Sequence, residues 1–368
     1  MKNIIPFMAL LPILILSCHF KSNTNLAKES NENYNLIIDP SQEDSILLSS
    51  FIDSLVFVPL ETKDNELITQ ISKIISFNDE FYVLDQAQNS IFIYNNNGKH
   101  LKTLHRQGKG PGEYQQLVDF NINKNGLFLL NYPHTILHYN FELEFLRKYE
   151  INNLYSFSFY CYNDLFWFSN ETGSANAKYH FLVIDKNGKQ KNKLIEKKFT
   201  EKKFNWREGN EFFEHNATLY FSPLFGNQIY STDGTTIKKQ YTINFENYNF
   251  PDDKNLFNEN IYSPDFKYAI RQYFWKLNNG LLIDYIHERN RKFALFNQKT
   301  KDIKNGFVVN DLIPEYRFFP KWADENKLIE VVDAITIIEN FSFLKNKIES
   351  LNSLSANNNP VLVLYYLK

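Results

Sequence analysis

Cysteine is nearly absent from this chain: Cys18 and Cys161 are the only two. So small a thiol supply excludes a disulfide framework and any CxxC metal site. Methionine is equally rare, at two residues, whereas 34 Phe and 22 Tyr dominate the aromatic content. Rings without methionine are the composition of β-structure and argue against a helical bundle. Net charge is lacking as well: 40 Lys and Arg nearly balance 42 Asp and Glu, leaving −2. Nucleic acid favours a strongly basic face, so it is excluded as a partner. Beyond the amino-terminal residues no apolar run approaches the roughly 20 residues that a membrane-spanning helix needs. Neither an HExxH motif nor a G-x-S-x-G elbow occurs. The zinc-protease and nucleophile-elbow hydrolase readings therefore have no residues to rest on.

The chain starts with Met1-Lys2-Asn3 and an apolar run from Ile4 to Leu16. A charged start followed by a short apolar stretch predicts a secretory signal over 1–17. The run ends in Ile15-Leu16-Ser17-Cys18, which resembles the lipobox of bacterial lipoproteins. That resemblance implies cleavage before Cys18 and acylation of its thiol and new amino terminus. Each buried CH₂ contributes about 0.8 kcal/mol to membrane attachment, so several acyl chains hold a protein at a surface without a spanning helix. Residues 18–35 are rich in Lys, Ser, Asn and Glu and lack periodicity, as a flexible tether would. With Cys18 lipidated, Cys161 has no partner and is expected to be a buried free thiol in an aromatic strand.

The remainder repeats. Ile71 to Ile74, Phe81 to Asp85, Ser90 to Tyr94 and Leu101 to Leu104 are four short β-forming runs separated by turn residues such as Asn96-Asn97-Gly98. Four antiparallel strands joined by tight turns make one propeller blade. The same order of elements returns from Asp119 to Tyr149, Ser156 to Ile195, Phe212 to Ile243 and Tyr268 to Ile303. A sixth unit is interrupted. Lys327 to Val332 reads as a strand, after which Asp333 is placed to cap a helix carrying Ile337, Phe341, Leu344, Ile348 and Leu351 on one face. That helical insertion is expected over about 333–355, and Pro360 to Tyr366 then reads as another strand. The unit lacks a strand, and Leu55 to Leu60 is unassigned. Pairing the two would close the ring and remove exposed strand edges. The expectation is an all-β, six-bladed propeller over 36–368, built of four-stranded antiparallel blades, closed by the amino-terminal strand and with one helix inserted in the last blade.

Arg106-Gln107-Gly108-Lys109-Gly110-Pro111-Gly112-Glu113-Tyr114, between the first two units, resembles the inter-blade loop of NHL-type propellers. With Val58 to Thr62, the lipobox and the terminal Asn359 to Lys368, the chain resembles the six-bladed β-propeller lipoproteins of Bacteroidota. The resemblance covers nearly all of the mature chain. It implies a fold and a cell-envelope, outer-membrane address, periplasmic or surface-exposed, and assigns no activity. The glycines suit a sharp transfer from one blade to the next. The run lacks the Gly-Lys-Ser/Thr ending of a P-loop and precedes a strand, so a phosphate cradle is the weaker reading.

The leading function is therefore a binding or scaffold module for an envelope protein, peptide or glycan, touching the membrane only through its lipid. Arg106, Lys109 and Glu113 on the glycine-rich loop, with Trp206, Arg207 and Trp322, are the candidate binding face; Tyr262 and Tyr316 belong with them as loop aromatics. No cofactor is required. The alternative is a metal-assisted hydrolase or lyase at the central channel, where several ligands must converge on a divalent ion. His134, His138, His215 and His287, with Glu214, Asp284 and Glu288, are the candidates, and His215 at the end of an inner strand is the best placed.

Overall fold

The computed structural model describes residues 33–368, apart from 64–65, 133–134, 152–155, 171–177, 198–208, 225 and 252–262. Cys18 and the signal and tether segments up to residue 32 lie outside the described residues. The chain forms six radial sheets. Blade 1 contains β4 (Ile71–Phe77), β5 (Glu80–Asp85), β6 (Ser90–Asn95) and β7 (His100–Leu104). Blade 2 contains β8 (Gln116–Asn123), β9 (Gly126–Tyr132), β10 (Thr135–Tyr139) and β11 (Phe145–Glu150). Blade 3 contains β12 (Ser158–Tyr162), β13 (Leu165–Ser169), β14 (Tyr179–Asp185) and β15 (Gln190–Glu196). Blade 4 is β16 (Phe212–His215), β17 (Thr218–Phe221), β18 (Gln228–Thr232) and β19 (Ile237–Asn244); blade 5 is β20 (Ile270–Leu277), β21 (Gly280–His287), β22 (Asn290–Asn297) and β23 (Ile303–Val309).

Blade 6 closes the ring as expected. Its strands β24 (Trp322–Ala323), β25 (Lys327–Val332) and β26 (Val361–Leu367) are completed by β3 (Ile52–Pro59). The register runs antiparallel from Val361 opposite Pro59 to Tyr366 opposite Ser54. Two strands precede β3 and add something the repeat did not foretell. β1 (Tyr34–Ile37) lies parallel beside β19, and β2 (Asp44–Leu47) parallel beside β23, as fifth strands of blades 4 and 5. Tyr34 and Asn35, expected in the tether, are thus already paired. Leu36, Ile46 and Leu48 turn inward and are fully buried, so the amino-terminal segment is a belt over three outer edges.

Local chemistry explains the turns. Asn78-Asp79, Asn163-Asp164 and Asn216-Ala217 connect first to second strands with both residues at positive φ, the two-residue hairpin geometry that Asn and Asp tolerate best. Gly98 sits at φ +79°, and a Cβ there would lie 2.1 Å from the Pro59 carbonyl oxygen, so only glycine lets blade 1 seat against the closing strand. Between the blades are separate apolar clusters: Tyr82, Leu84 and Ile91 meet Phe120 and Leu129 between blades 1 and 2, and Phe128 and Ile136 meet Phe159 and Phe166 between blades 2 and 3. Val83 and Phe92 meet Leu362 and Leu364 across the closure.

The single helix expected from Asp333 is instead α1 (Ala334–Asn340), α2 (Phe343–Lys347) and a tight turn at Glu349–Leu351. Asp333 occupies the cap position without a side-chain cap bond, and the chain leaves helical geometry at Phe341 and Ile348. The apolar face is right, since Ile337, Leu344 and Leu351 are all buried. A straight helix of that length would run about 30 Å and carry its far end past the blade. Breaking it keeps these side chains over one core, shared with Tyr285 and Phe293 of blade 5.

Candidate functional site: the central cavity

The first strand of every blade faces the axis, where a cavity of about 1030 Å³ opens. Alternation along a strand sends every second side chain into it. Because the blades are antiparallel, connections from one blade to the next share one end of the disc, and the first hairpin turns share the other. Long connections leave β11, β15 and β19 at that first, loop end.

Side chains near the axis fasten neighbouring inner strands. Lys73 on β4 donates to the Asp119 carboxylate at 2.8 Å and to the Phe120 carbonyl at 2.8 Å. Asp119 in turn accepts the Phe159 backbone N–H at 3.0 Å, and Asn121 Oδ1 accepts that of Cys161 at 3.2 Å. Side chains thus replace the ladder that diverging sheets cannot form between blades. Farther round, Tyr160 donates to Glu214 Oε2 at 3.0 Å and stacks on Phe212 with centroids 5.9 Å apart. Tyr273 and Trp275 present parallel rings 5.5 Å apart from β20. Glu325, in the β24–β25 turn, reaches past blade 5 to accept the Asn216 backbone N–H of blade 4 at 2.6 Å. Burial pushes the Glu214 carboxyl above its ordinary range; the negative charge of Glu325 adds to this, and the Tyr160 hydroxyl opposes it. Burial likewise pushes Tyr160 far up.

The glycine-rich loop is built for packing. Tyr114 is fully buried, and its single hydroxyl proton is shared between the Asn89 carbonyl at 3.0 Å and the Leu104 carbonyl at 3.1 Å while its oxygen accepts the Arg106 N–H. Glu113 folds back to accept the Gly110 N–H at 2.7 Å. A Cβ on Gly108 would lie 2.0 Å from that carboxylate. Arg106 lies over the Tyr139 ring, 5.8 Å from its centroid. Arg106, Lys109 and Glu113 are exposed, at the loop end, and none of them lines the cavity. Trp322 does line it, half-buried on β24, the inner strand of blade 6 that sequence reading took for loop. Tyr316, expected as a rim aromatic, is buried against Phe57 and Phe341. Trp206, Arg207, Tyr262 and His134 lie outside the described residues.

The proposed metal ligands are dispersed. His138 stacks on Phe128 and its Nε2 lies 2.8 Å from the Asn125 carbonyl oxygen. His287 packs edge-on against Tyr248, and Asp284 is paired with Arg291. His215 is on the inner strand β16 but buried, stacked with Phe213. Burial lowers its pKa first and the charge of Lys276 second. Among the described residues no group of three or more His, Cys, Asp or Glu side chains is placed to hold a metal. Of the residues that do face the axis, Glu214 was named as a possible metal ligand, whereas Lys73, Asp119, Asn121 and Tyr160 were not singled out from the sequence. The available signal was the alternate position within the first strand of each unit.

Fold and cavity together define a six-bladed β-propeller with an axial pocket. The chain belongs to the DUF4934 family, a domain of unknown function, whose model matches residues 34–366. No curated protein matches the sequence. Among solved structures it is similar to a Bacteroides fragilis protein described as exported, with TM-score 0.69, 18% identity, and 91% of this chain and 99% of that one covered. It is also similar to a DUF4221-family member from Bacteroides vulgatus, with TM-score 0.51, 12% identity, and coverage of 86% and 97%. At these identities the likeness is one of fold. No helix among the described residues is long and apolar enough to cross a membrane.

Proposed function

We propose that this chain is an exported binding module, held at the cell envelope through lipid on Cys18, that takes a protein, peptide or glycan partner at the axial cavity and the loop end around it. The observation that carries the reading is the cavity itself: about 1030 Å³, walled by Tyr160, Phe212, Trp275 and Trp322 and dotted with polar groups. Ligand sites combine such apolar walls with a few placed polar groups, and this one exceeds the volume most small molecules need. The leader supports the address, as does similarity to a protein described as exported. Arg106 and Lys109, exposed on the glycine-rich loop, would extend the contact surface at the loop end.

Two measurements test it. Cys18→Ser should move the protein from the membrane to the soluble fraction. Glycan and peptide arrays probed with the wild-type chain should show binding that Trp322→Ala abolishes; binding indifferent to that change, or turnover of the bound ligand, would overturn the reading.

A further inference from the structure

The chemistry of the cavity narrows its ligand, given that the axial pocket is the binding site. Of the carboxylates on its walls, Asp119 is neutralised by Lys73, Asp164 by Lys186 at 2.6 Å, and Asp324 by Lys327 at 2.5 Å. Glu211, at the loop end, accepts the Ser169 hydroxyl. Glu214 and Glu325 differ: the first is bonded to the Tyr160 hydroxyl and the second to the Asn216 N–H, both neutral donors. They enter from blades 4 and 6, and the charge of Glu325 disfavours that of Glu214. Phe212 stands two residues before Glu214 on the same side of β16, stacked with Tyr160. Tyr273 and Trp275 line the wall from blade 5.

We infer that the turn-end half of the cavity takes an organic cation: a protonated amine on an apolar or ring-shaped body, seated between Glu214 and Glu325 and against the rings of Tyr160 and Phe212. A cation relieves the repulsion between the two carboxylates and is attracted by aromatic faces, which is the physics of aromatic cages. An anionic group would be repelled there. A neutral sugar would leave both charges uncompensated. A bare metal ion would find too few ligands among the described residues. The rings also give an organic body apolar area to cover, which a hydrated metal would not use.

The experiment uses the full chain in detergent and two probes of equal length, pentylamine and 1-pentanol, followed by calorimetry and by tryptophan fluorescence, since Trp275 and Trp322 line the site. Pentylamine should bind about tenfold tighter than pentanol, the difference that one compensated charge of about 1.4 kcal/mol makes. Glu214→Gln and Glu325→Gln keep the side-chain shape and the hydrogen bonds while removing charge. Each should weaken pentylamine about tenfold and leave pentanol unchanged. Equal affinity for the two probes, or Gln variants that bind pentylamine like wild type, overturns the inference. An array ligand lost in Trp322→Ala but not displaced by saturating pentylamine overturns the amine class and leaves the cavity as the site. If no ligand of any class depends on Trp322, both readings fall.

Discussion

One buried amide ties the closing strand's exit segment to the start of β26. Asn359 is buried two residues before β26, and its Nδ2 donates to the carbonyls of Glu61 at 2.9 Å and Glu66 at 3.1 Å while its Oδ1 accepts the Ile68 N–H at 2.9 Å. Those three partners lie in the segment that carries the chain from β3, the closing strand of blade 6, to β4, the first strand of blade 1. Asn359→Ala deletes all three bonds and leaves two carbonyls and one N–H without partners. At about 1 kcal/mol each the cost is about 3 kcal/mol. For a domain of this size that corresponds to a melting temperature lower by about 4 °C. Thr62→Val is the matched control, since it removes only the bond from the Asn359 N–H to Thr62 Oγ1, at 2.8 Å, and should cost about 1 kcal/mol. Thermal unfolding followed by circular dichroism measures both. If Asn359→Ala melts within a degree of wild type, or no lower than Thr62→Val, the amide does not pin the closure and the reasoning fails.

Two further outcomes follow from buried groups. Burial lifts the Glu330 carboxyl to about 6, against the attraction of Arg291 and the hydrogen bonds it accepts from Tyr365 and Phe319 N–H. The folded chain therefore keeps this proton where the unfolded chain has released it, so Glu330 lowers stability as pH rises from about 4.5 to about 6. The loss is about 2 kcal/mol above that window; urea unfolding of wild type and Glu330→Gln at pH 4.5 and 7.5 should show it as a difference in slope, and parallel behaviour would refute it. Cys161 is buried and its thiol is pushed well up by desolvation, so in a Cys18→Ser chain it should resist alkylation by iodoacetamide at pH 8 until the protein is unfolded; rapid labelling of the native state would contradict its placement.

Much of the fold was written locally. Asn78-Asp79, Asn97-Gly98 and Asn125-Gly126 mark hairpins between alternating apolar runs, so blades 1 and 2 could be delimited almost strand by strand. Even the closure was legible, because Leu55 to Leu60 and Val361 to Tyr366 are both strands short of a partner, and an unpaired edge is costly. Three features were not. The two-residue strand Trp322–Ala323 is too short for any periodicity, so Trp322 was read as loop. The apolar spacing after Asp333 fits one helix as well as two, since both place Ile337, Leu344 and Leu351 on a common face. β1 and β2 have no hairpin partner in sequence; they pair in parallel with strands more than two hundred residues away.

The site shows the same division more sharply. Sequence alone determined the blade, the number of blades, the closing strand and the packing role of the glycine-rich loop, because each rests on hydrogen-bond geometry and burial within a few dozen residues or on the cost of an open edge. Only the tertiary structure decided which side chains meet on the axis. Tyr160, Glu214 and Glu325 come from blades 3, 4 and 6, and Glu214 feels Glu325 across a distance of 111 positions in the chain. Electrostatics depends on separation in space, and radial closure, which no local pattern encodes residue by residue, is what sets that separation.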